Sequence, residues 1–260
     1  MTEPNNHDKD HLNACIEMSR KLRHVYCDKQ ENGLFSVVID GHRFLMEPEH
    51  PGWSHVNTGA YNVEIRDFLN VLDIMKDIDA PVMIELGSHW ALWSLIFRNR
   101  FPKGTNILVE INSDSLQIGM RNFALSNLDC IPYHGGSELS SAHGLGMQVE
   151  SATVALAEAG IIGPECDFMS LWDHNNLQHL DLLHMDIQGS ELALLQNNQN
   201  LLAEHRISNI VIGTHDHLHD HAIHEPVREI LIANGYTIRK DIPCKTDDGY
   251  IWAHYPKKPE

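Results

Sequence analysis

Residues 181–191, DLLHMDIQGSE, carry the pattern that decides the fold. The apolar run before Asp186 has the composition of a strand that helices bury on both faces of a parallel sheet. Gly189 then turns the chain, and a helix begins at Glu191, where an acidic side chain has an ordinary explanation as a partner of the helix dipole. The stretch therefore predicts a strand–turn–helix unit that places Asp186 at the carboxyl end of a central strand.

The same alternation of apolar strands and amphipathic helices continues along most of the chain. Strands are predicted at residues 82–84, 107–109, 130–133, 180–185 and 207–212, and helices at residues 61–76, 113–125, 191–202 and 222–234. A final strand pair, residues 236–242 and 250–254, is predicted to be antiparallel. This pattern predicts an open, mostly parallel α/β sheet with right-handed crossovers, whose ligands bind beyond the carboxyl ends of the strands.

A smaller N-terminal unit is predicted to precede this domain. Residues 7–27 have mixed helical character, and residues 34–46 form two strands around Asp40 and Gly41, a dipeptide typical of hairpin turns. The sequence is therefore divided into an N-terminal cap of helix and hairpin, residues 1–57, and a ligand-binding domain, residues 58–260.

Composition and charge limit the partners that the chain can take. Its 260 residues are 42% hydrophobic, which suits a folded domain with a large core. The formal net charge of −17 opposes binding to phosphate backbones, so we expect a small-molecule or glycan partner and no nucleic acid. The polar N-terminus does not resemble a secretory signal, no apolar run is long enough to cross a bilayer, and the five cysteines are scattered. These features predict a cytoplasmic protein with reduced thiols and no membrane partner.

Two strand ends carry candidate residues of a nucleoside site. After the first strand of the main domain, Gly87 permits a sharp turn, and the backbone N–H groups at the start of the following helix would face a ligand. Glu110 ends the next strand, 25 positions after Glu85, where a carboxylate can accept hydrogen bonds from both hydroxyls of a ribose. A plain turn and a solvated carboxylate are the alternatives. The single glycine disfavours binding of the pyrophosphate of NAD, but Gly87 and Glu110 alone do not distinguish a site for NAD from a site for S-adenosylmethionine.

Taken together, these elements resemble the FkbM-like family of methyltransferases over about residues 58–254. The matching elements, in the same order, are residues 85–91 (ELGSHWA) with Ser94, residues 109–110 (VE), residues 186–191 (DIQGSE) and residues 212–215 (IGTH). The resemblance implies a Rossmann-like class I methyltransferase fold and dependence on S-adenosylmethionine. It also implies methylation mostly of hydroxyls on sugars, polyketides and related small molecules, with some N-methylating members. Ala91 and His89 depart from the family, which usually has a second glycine and commonly an asparagine at these positions.

The strand ends and the resemblance together give a set of cofactor-binding residues. The set consists of Glu85, Gly87, Ser88, His89, Ser94, Glu110, Ser137 and Asp186. Ser137 is placed by position alone, because it follows the third predicted strand and could reach an adenine.

His215 and Asp186 are the predicted catalytic residues. His215 ends the strand that follows the strand of Asp186, so the two side chains could meet at the ligand edge of the sheet. With an ordinary pKa of about 6.5, a histidine can remove the proton of an alcohol near neutral pH. His215 is therefore predicted to act as a general base or to orient the acceptor, with Asp186 as its partner or as a metal ligand. A histidine bonded to the backbone is the alternative.

A histidine-rich segment after the last parallel strand raises the question of a divalent metal. His217, His221 and His224 have helical spacing, and neutral imidazole binds zinc or nickel well. An exposed segment that binds metals adventitiously is the favoured interpretation. Asp186, His215 and His217 are the candidate metal ligands.

The sequence thus predicts an S-adenosylmethionine-dependent methyltransferase that O-methylates a small molecule or glycan. A nicotinamide-dependent oxidoreductase, and a nucleotide- or metal-binding protein without turnover, are the alternatives. The antiparallel terminal strands and the N-terminal helix leave room for a homodimer.

Overall fold

Three short strands form a small sheet ahead of the main one. The structure, a computed structural model, describes residues 26–47, 62–135, 168–216, 222–244 and 248–255. The small sheet consists of β1 (Tyr26–Lys29), β2 (Phe35–Ile39) and β3 (His42–Met46), paired antiparallel in that order. Asp40 and Gly41 turn the chain between β2 and β3 with φ angles of 47° and 78°, which confirms the predicted hairpin.

The main sheet of the described residues has seven strands in the order β6-β5-β4-β7-β8-β10-β9. Their bounds are β4 (Val82–Leu86), β5 (Thr105–Glu110), β6 (Ile131–His134), β7 (Leu180–Met185), β8 (Ile207–Thr214), β9 (Thr237–Ile242) and β10 (Gly249–His254). The first five strands in the sheet order are parallel, and β10 pairs antiparallel with both β8 and β9. This is the predicted Rossmann-like α/β sheet with a terminal antiparallel pair.

Helices bury both faces of this sheet over two apolar cores. One face is covered by α1 (Asn62–Ile74), α2 (Leu92–Arg100) and α3 (Ser113–Leu125), together with β2 and β3. The other face is covered by α4 (Phe168–His174), α5 (Glu191–Asn197), α6 (Gln199–Ala203) and α7 (His224–Ala233). Every residue of β7 is buried, as expected of a central strand between two helical layers. Within the described ranges, none of these helices has the length and apolar content that crossing a bilayer requires.

Three elements differ from the sequence predictions. The pattern predicts helical character up to residue 27, whereas β1 begins at Tyr26; residues 7–25 lie outside the described chain. The sequence pattern predicts no helix in the region of α4. The single helix predicted over residues 191–202 is divided at Asn198, whose side-chain amide donates to the carbonyl of Leu194 (2.8 Å).

The small sheet packs on α3 of the main domain. The N–H of Glu47 donates to Asn122 Oδ1 (2.9 Å), and Arg121 pairs with the Glu47 carboxylate (2.8 Å). The division of the chain at residue 57 stays a prediction, because residues 48–61 lie outside the described ranges.

The ends of β4 and β7 lie where the strand order reverses. From β4 the sheet adds β5 and β6 on one side and β7 and β8 on the other. In open sheets of this kind the ligand crevice lies beyond the carboxyl ends of such neighbouring strands. The register pairs Leu86 of β4 with Met185 of β7, so Gly87 and Asp186 follow at the same level.

Candidate active site

Gly87 makes the turn after β4, and only glycine fits there. Its φ angle is +76°, in the left-handed region, and a Cβ atom at this position would lie 1.9 Å from the carbonyl oxygen of Asp186. The N–H groups of Gly87 and Ser88 donate to the carbonyl of Val109 (2.9 and 3.0 Å). The turn is therefore packed directly between the ends of β5 and β7.

The turn uses its own N–H groups internally. Besides the two bonds to Val109, the N–H of His89 donates to Glu110 Oε2 (2.9 Å), and that of Ala91 donates to the carbonyl of Ser88 (2.6 Å). These bonds leave the four groups unavailable to a pyrophosphate, which binds through such donors. At the start of α2, where the sequence predicts N–H groups that face a ligand, the N–H of Ser94 donates instead to Glu85 Oε2 (3.1 Å). For the N–H groups of Leu92 and Trp93 this stays a prediction.

His89 and Ala91 adopt left-handed conformations although neither is glycine. Their φ angles are 49° and 64°. A left-handed conformation costs a residue with a side chain about 1–2 kcal/mol. Ala91 is fully buried, and a Cβ atom on Gly119 of α3 would lie 3.2 Å from its Cβ. The small size of Ala91 and Gly119 therefore lets α3 approach the turn closely.

Glu110 ends β5 with its carboxylate held by two backbone groups. Oε2 accepts from the N–H of His89 (2.9 Å), and Oε1 accepts from the N–H of Asn112 (2.8 Å). Asn112 in turn caps α3, because its side-chain oxygen accepts from the N–H groups of Asp114 and Ser115 (3.0 Å each). A carboxylate oxygen accepts more than one hydrogen bond, so both Glu110 oxygens can still accept from a ligand.

A cavity of about 510 Å³ opens beyond the ends of β4, β5 and β7. Six of the eight residues predicted to bind a cofactor line it, namely Glu85, Gly87, Ser88, His89, Glu110 and Asp186. The hydroxyl of Ser88 is buried there and has no hydrogen-bond partner among the described residues. Such a group costs about 1–3 kcal/mol, so it is placed to bond a ligand. Ile111, 64% exposed, adds an apolar surface to the cavity lining.

The two remaining members of the predicted set are placed differently. Ser94 lies beneath the turn, where its N–H (3.1 Å) and its hydroxyl donate to Glu85 Oε2. Burial raises the pKa of Glu85 to about 8, against the opposing effect of these hydrogen bonds, so the carboxyl is largely protonated at neutral pH. Glu85 and Ser94 thereby fix the first turn of α2 to β4. Ser137 lies outside the described residues.

Asp186 and His215 meet at the neighbouring ends of β7 and β8. His215 Nε2 lies 3.2 Å from Asp186 Oδ1, and the amide nitrogen of Gln188 donates to the same oxygen (2.8 Å). The Asp186 side chain is 45% exposed and lines the cavity, whereas that of His215 is 2% exposed. Asp186 therefore faces the cavity, and His215 lies behind it.

The charge of His215 argues against its predicted role as a general base. Its Nδ1 lies 3.1 Å from Glu191 Oε1. Burial by itself would lower the pKa of His215, but hydrogen bonds and charge interactions with Asp186 and Glu191 raise it to about 10. The ring is then an imidazolium near neutral pH, with no lone pair to accept a proton or bind a metal. Its burial behind Asp186 also argues against contact with an acceptor.

Glu64, in the first turn of α1, is a charged neighbour that the sequence analysis missed. Burial, followed by the charges of Asp186 and Asp248, raises the pKa of Glu64 to about 7. Asp248 Oδ2 also lies 3.8 Å from His215 Nε2. No sequence pattern marks Glu64, because an acid in the first turn of a helix is ordinary. Glu191 was missed for the same reason, although it belongs to the DIQGSE element that carries the resemblance.

The predicted histidine face is only partly described. His217 and His221 lie outside the described residues, so their role as metal ligands stays a prediction. His224 is buried, with Nδ1 2.7 Å from Thr214 Oγ1 and Nε2 2.9 Å from Asp241 Oδ1. Both of its nitrogens thus have partners within the protein. In the part of the chain that the structure describes, no group of three or more His, Cys, Asp or Glu side chains is suited to a metal ion.

Comparisons with known proteins identify the family of the chain. A protein from Jannaschia sp. (strain CCS1) named "Putative methyltransferase" is 22% identical over 209 residues, which are 72% of this chain and 73% of the relative. A structure of M. capricolum TrmK with S-adenosyl-homocysteine matches 72% of this chain and 66% of its own, at 16% identity and a TM-score of 0.41. Aeropyrum pernix fibrillarin with bound S-adenosyl-L-methionine matches 88% of this chain and 99% of its own, at 12% identity and a TM-score of 0.42. A family model described as the methyltransferase FkbM domain matches residues 77–238. The chain belongs to the FkbM methyltransferase domain family.

Proposed function

We propose that the protein transfers a methyl group from S-adenosylmethionine to a hydroxyl of a small molecule or glycan. The observation that carries this proposal is the convergence of Gly87, Glu110 and Asp186, from three different strand ends, on one cavity of about 510 Å³. A glycine turn, a ribose-binding carboxylate and a polar residue at the reacting end are the parts that a nucleoside-linked methyl donor needs.

The residues at the cavity fit this cofactor. Glu110 would hold the ribose hydroxyls, Ile111 would contact the adenine, and the unpartnered hydroxyl of Ser88 would bond the polar part of the ligand. S-adenosylmethionine supplies an electrophilic methyl group on a sulfonium and carries no phosphate. The internal use of the N–H groups of Gly87, Ser88, His89 and Ala91 therefore favours it over NAD.

Asp186 is the residue that would orient the acceptor. Oδ1 is held by His215 and Gln188, whereas Oδ2 accepts no hydrogen bond from the described residues. A half-exposed carboxylate oxygen at the cavity can accept the hydrogen bond of an acceptor hydroxyl and fix its direction of attack. As the oxygen–methyl bond forms, the sulfur–methyl bond breaks to leave S-adenosylhomocysteine, and the hydroxyl proton passes by way of Oδ2 to solvent. Trp93 lines the same cavity and would provide an apolar wall for the acceptor.

The charge of the chain supports a small or uncharged acceptor. With a formal net charge of −17, the protein repels polyphosphates such as nucleic acids. A sugar or other hydroxylated small molecule carries no such penalty.

The proposal is tested by supplying methyl-labelled S-adenosylmethionine and a metabolite and glycan extract to the purified protein. We expect mass spectrometry to find label on the oxygen of a soluble product. Asp186→Asn keeps the shape of the side chain and should reduce the labelled product by about 100-fold, because it removes the oriented charge. Absence of labelled product in all fractions contradicts the proposal, and label on nitrogen contradicts its O-methylation part.

A further inference from the structure

Glu191 begins α5 with its carboxylate fully enclosed. Its side chain has 0% exposure, and Oε1 accepts from the N–H of Ile187 (3.1 Å) and lies 3.1 Å from His215 Nδ1. Oε2 is buried and has no hydrogen-bond partner among the described residues. A buried carboxylate is costly unless a positive charge compensates it. The ring of His215 supplies that charge.

His215 lies between two carboxylates that belong to different elements. Nδ1 faces Glu191 of α5, and Nε2 faces Asp186 at the end of β7 (3.2 Å). The amide nitrogen of Gln188 also lies 3.1 Å from Nε2, where a neutral ring could accept from it. A neutral imidazole has a single N–H, so only an imidazolium donates to both carboxylates at once. The chain of contacts Glu191–His215–Asp186 therefore runs from the interior of the protein to the cavity.

We infer that Glu191 is a positioning residue, which fixes His215 so that the ring directs Asp186 into the cavity. The inference rests on the proposed function, in which Asp186 contacts the acceptor. Glu191 does not itself line the cavity, so its effect passes through His215. This role explains the acidic residue at position 191 in addition to its favourable interaction with the dipole at the start of α5.

The other acidic groups around His215 also favour the protonated form of its ring. Asp248 Oδ2 lies 3.8 Å from Nε2, and the charge of Glu64 in α1 interacts with His215. His184, two residues before Asp186 in β7, is neutral because burial lowers its pKa to about 4. Removal of the Glu191 charge would leave Asp186 and Asp248 on the Nε2 side and take away the carboxylate on the Nδ1 side.

The charge of the ring can be measured in the unaltered protein. Nitrogen-15 NMR of the histidine rings, with His215 assigned through a His215→Gln variant, should show both of its ring nitrogens protonated at pH 8. This pH lies below the pKa of about 10 that the surroundings give the ring. A ring with a single proton at pH 8 overturns the inference, whatever the variants do.

Glu191→Gln tests the role of the carboxylate itself. Glutamine keeps the shape and an oxygen for the N–H of Ile187 but removes the charge. We expect the pKa of His215 to fall by about one pH unit or more. The alkaline limb of the pH profile for methyl transfer should move to lower pH by the same amount. An unchanged ring pKa in a folded Glu191→Gln variant overturns the inference.

Two further variants separate charge from structure. Glu191→Asp restores the carboxylate and should return both the ring pKa and the pH profile toward those of the unaltered protein. Glu204→Gln removes a carboxylate that is 61% exposed and should leave both unchanged. If Glu191→Asp behaves like Glu191→Gln while remaining folded, shape and not charge is responsible, and the inference fails.

The inference and the proposed function fail in different ways. If the unaltered protein binds no S-adenosylhomocysteine, the proposed function fails, while the NMR titration still decides whether Glu191 sets the charge of His215. If methyl transfer occurs and its pH profile is the same in Glu191→Gln, the positioning role fails and the proposed function stands.

Discussion

The carbonyl oxygen of Asp186 lies 1.9 Å from the point that a Cβ atom on Gly87 would occupy. The end of β4 and the end of β7 therefore pack against each other through backbone atoms, with no room for a side chain. This contact joins the turn at Gly87 to the strand that carries Asp186, the residue proposed to orient the acceptor. A change at Gly87 should consequently disturb both halves of the site.

Gly87→Ala should destabilise the protein by more than about 2 kcal/mol, because it combines a left-handed conformation with a backbone clash. It should also abolish binding of S-adenosylhomocysteine. Gly33→Ala is the matched control, since Gly33 has a φ angle of +86° but nothing within 4 Å of its Cβ position. The control should cost only about 1 kcal/mol in chemical denaturation and leave binding intact. Equal effects of the two substitutions would show that the contact with Asp186 is unimportant.

Glu110→Gln should weaken S-adenosylhomocysteine binding by about 10- to 100-fold, because a charged hydrogen bond is worth about 1.5–3 kcal/mol. The NH₂ group of the glutamine would also face the backbone N–H of His89 or of Asn112, each of which now donates to one carboxylate oxygen. Asp114→Asn, at an exposed acid in the first turn of α3, is the control and should leave the affinity unchanged. Titration calorimetry measures both. An unaffected Glu110→Gln variant would remove the ribose role.

Ser88→Ala should act in opposite directions on stability and on binding. Without ligand it removes a buried hydroxyl that has no partner among the described residues, so stability should be unchanged or rise by about 1 kcal/mol. With ligand it should lower affinity by about 5-fold, because one neutral hydrogen bond is lost. Ser126→Ala also removes a buried unpartnered hydroxyl, away from this cavity, and should leave affinity unchanged. Thermal unfolding with and without S-adenosylhomocysteine distinguishes these results.

The pH dependence of stability should contain a contribution from Glu85. Burial raises the pKa of Glu85 from its ordinary 4.5 to about 8, so the folded state binds the proton more tightly than the unfolded state does. The resulting stabilisation is complete below pH 4.5 and is lost as the pH rises through about 8. In denaturant titrations across this range, Glu85→Gln should show a weaker decline than the unaltered protein. A decline of the same steepness would mean that Glu85 is ionised in the folded state.

The sequence was sufficient for the central part of the fold. The apolar run that ends at Met185 predicts β7 residue for residue, and the helical pattern over residues 113–125 predicts the bounds of α3, although Asn112 and not Ser113 is its capping residue. Both signals are local, because composition and periodicity within one element decide them. The neighbouring placement of Asp186 and His215 also follows, since consecutive parallel strands commonly lie side by side.

What could not be predicted depends on contacts between distant elements. The protonation of His215 depends on Glu191 and Asp186. No local sequence pattern predicts that these two carboxylates lie on either side of the same ring. The strand at Tyr26 is likewise a case in which pairing with another strand, β2, overrides a short periodic pattern. The internal use of the turn N–H groups becomes visible only when Val109 and the turn are seen together.

Titration calorimetry of the unaltered protein with S-adenosylhomocysteine, and in parallel with NAD, tests the central claim most directly. If Gly87, Glu110 and Asp186 form one S-adenosyl nucleoside site, S-adenosylhomocysteine should saturate a single site per chain and NAD should not bind. A folded protein that binds NAD, or that binds neither compound, would contradict the account.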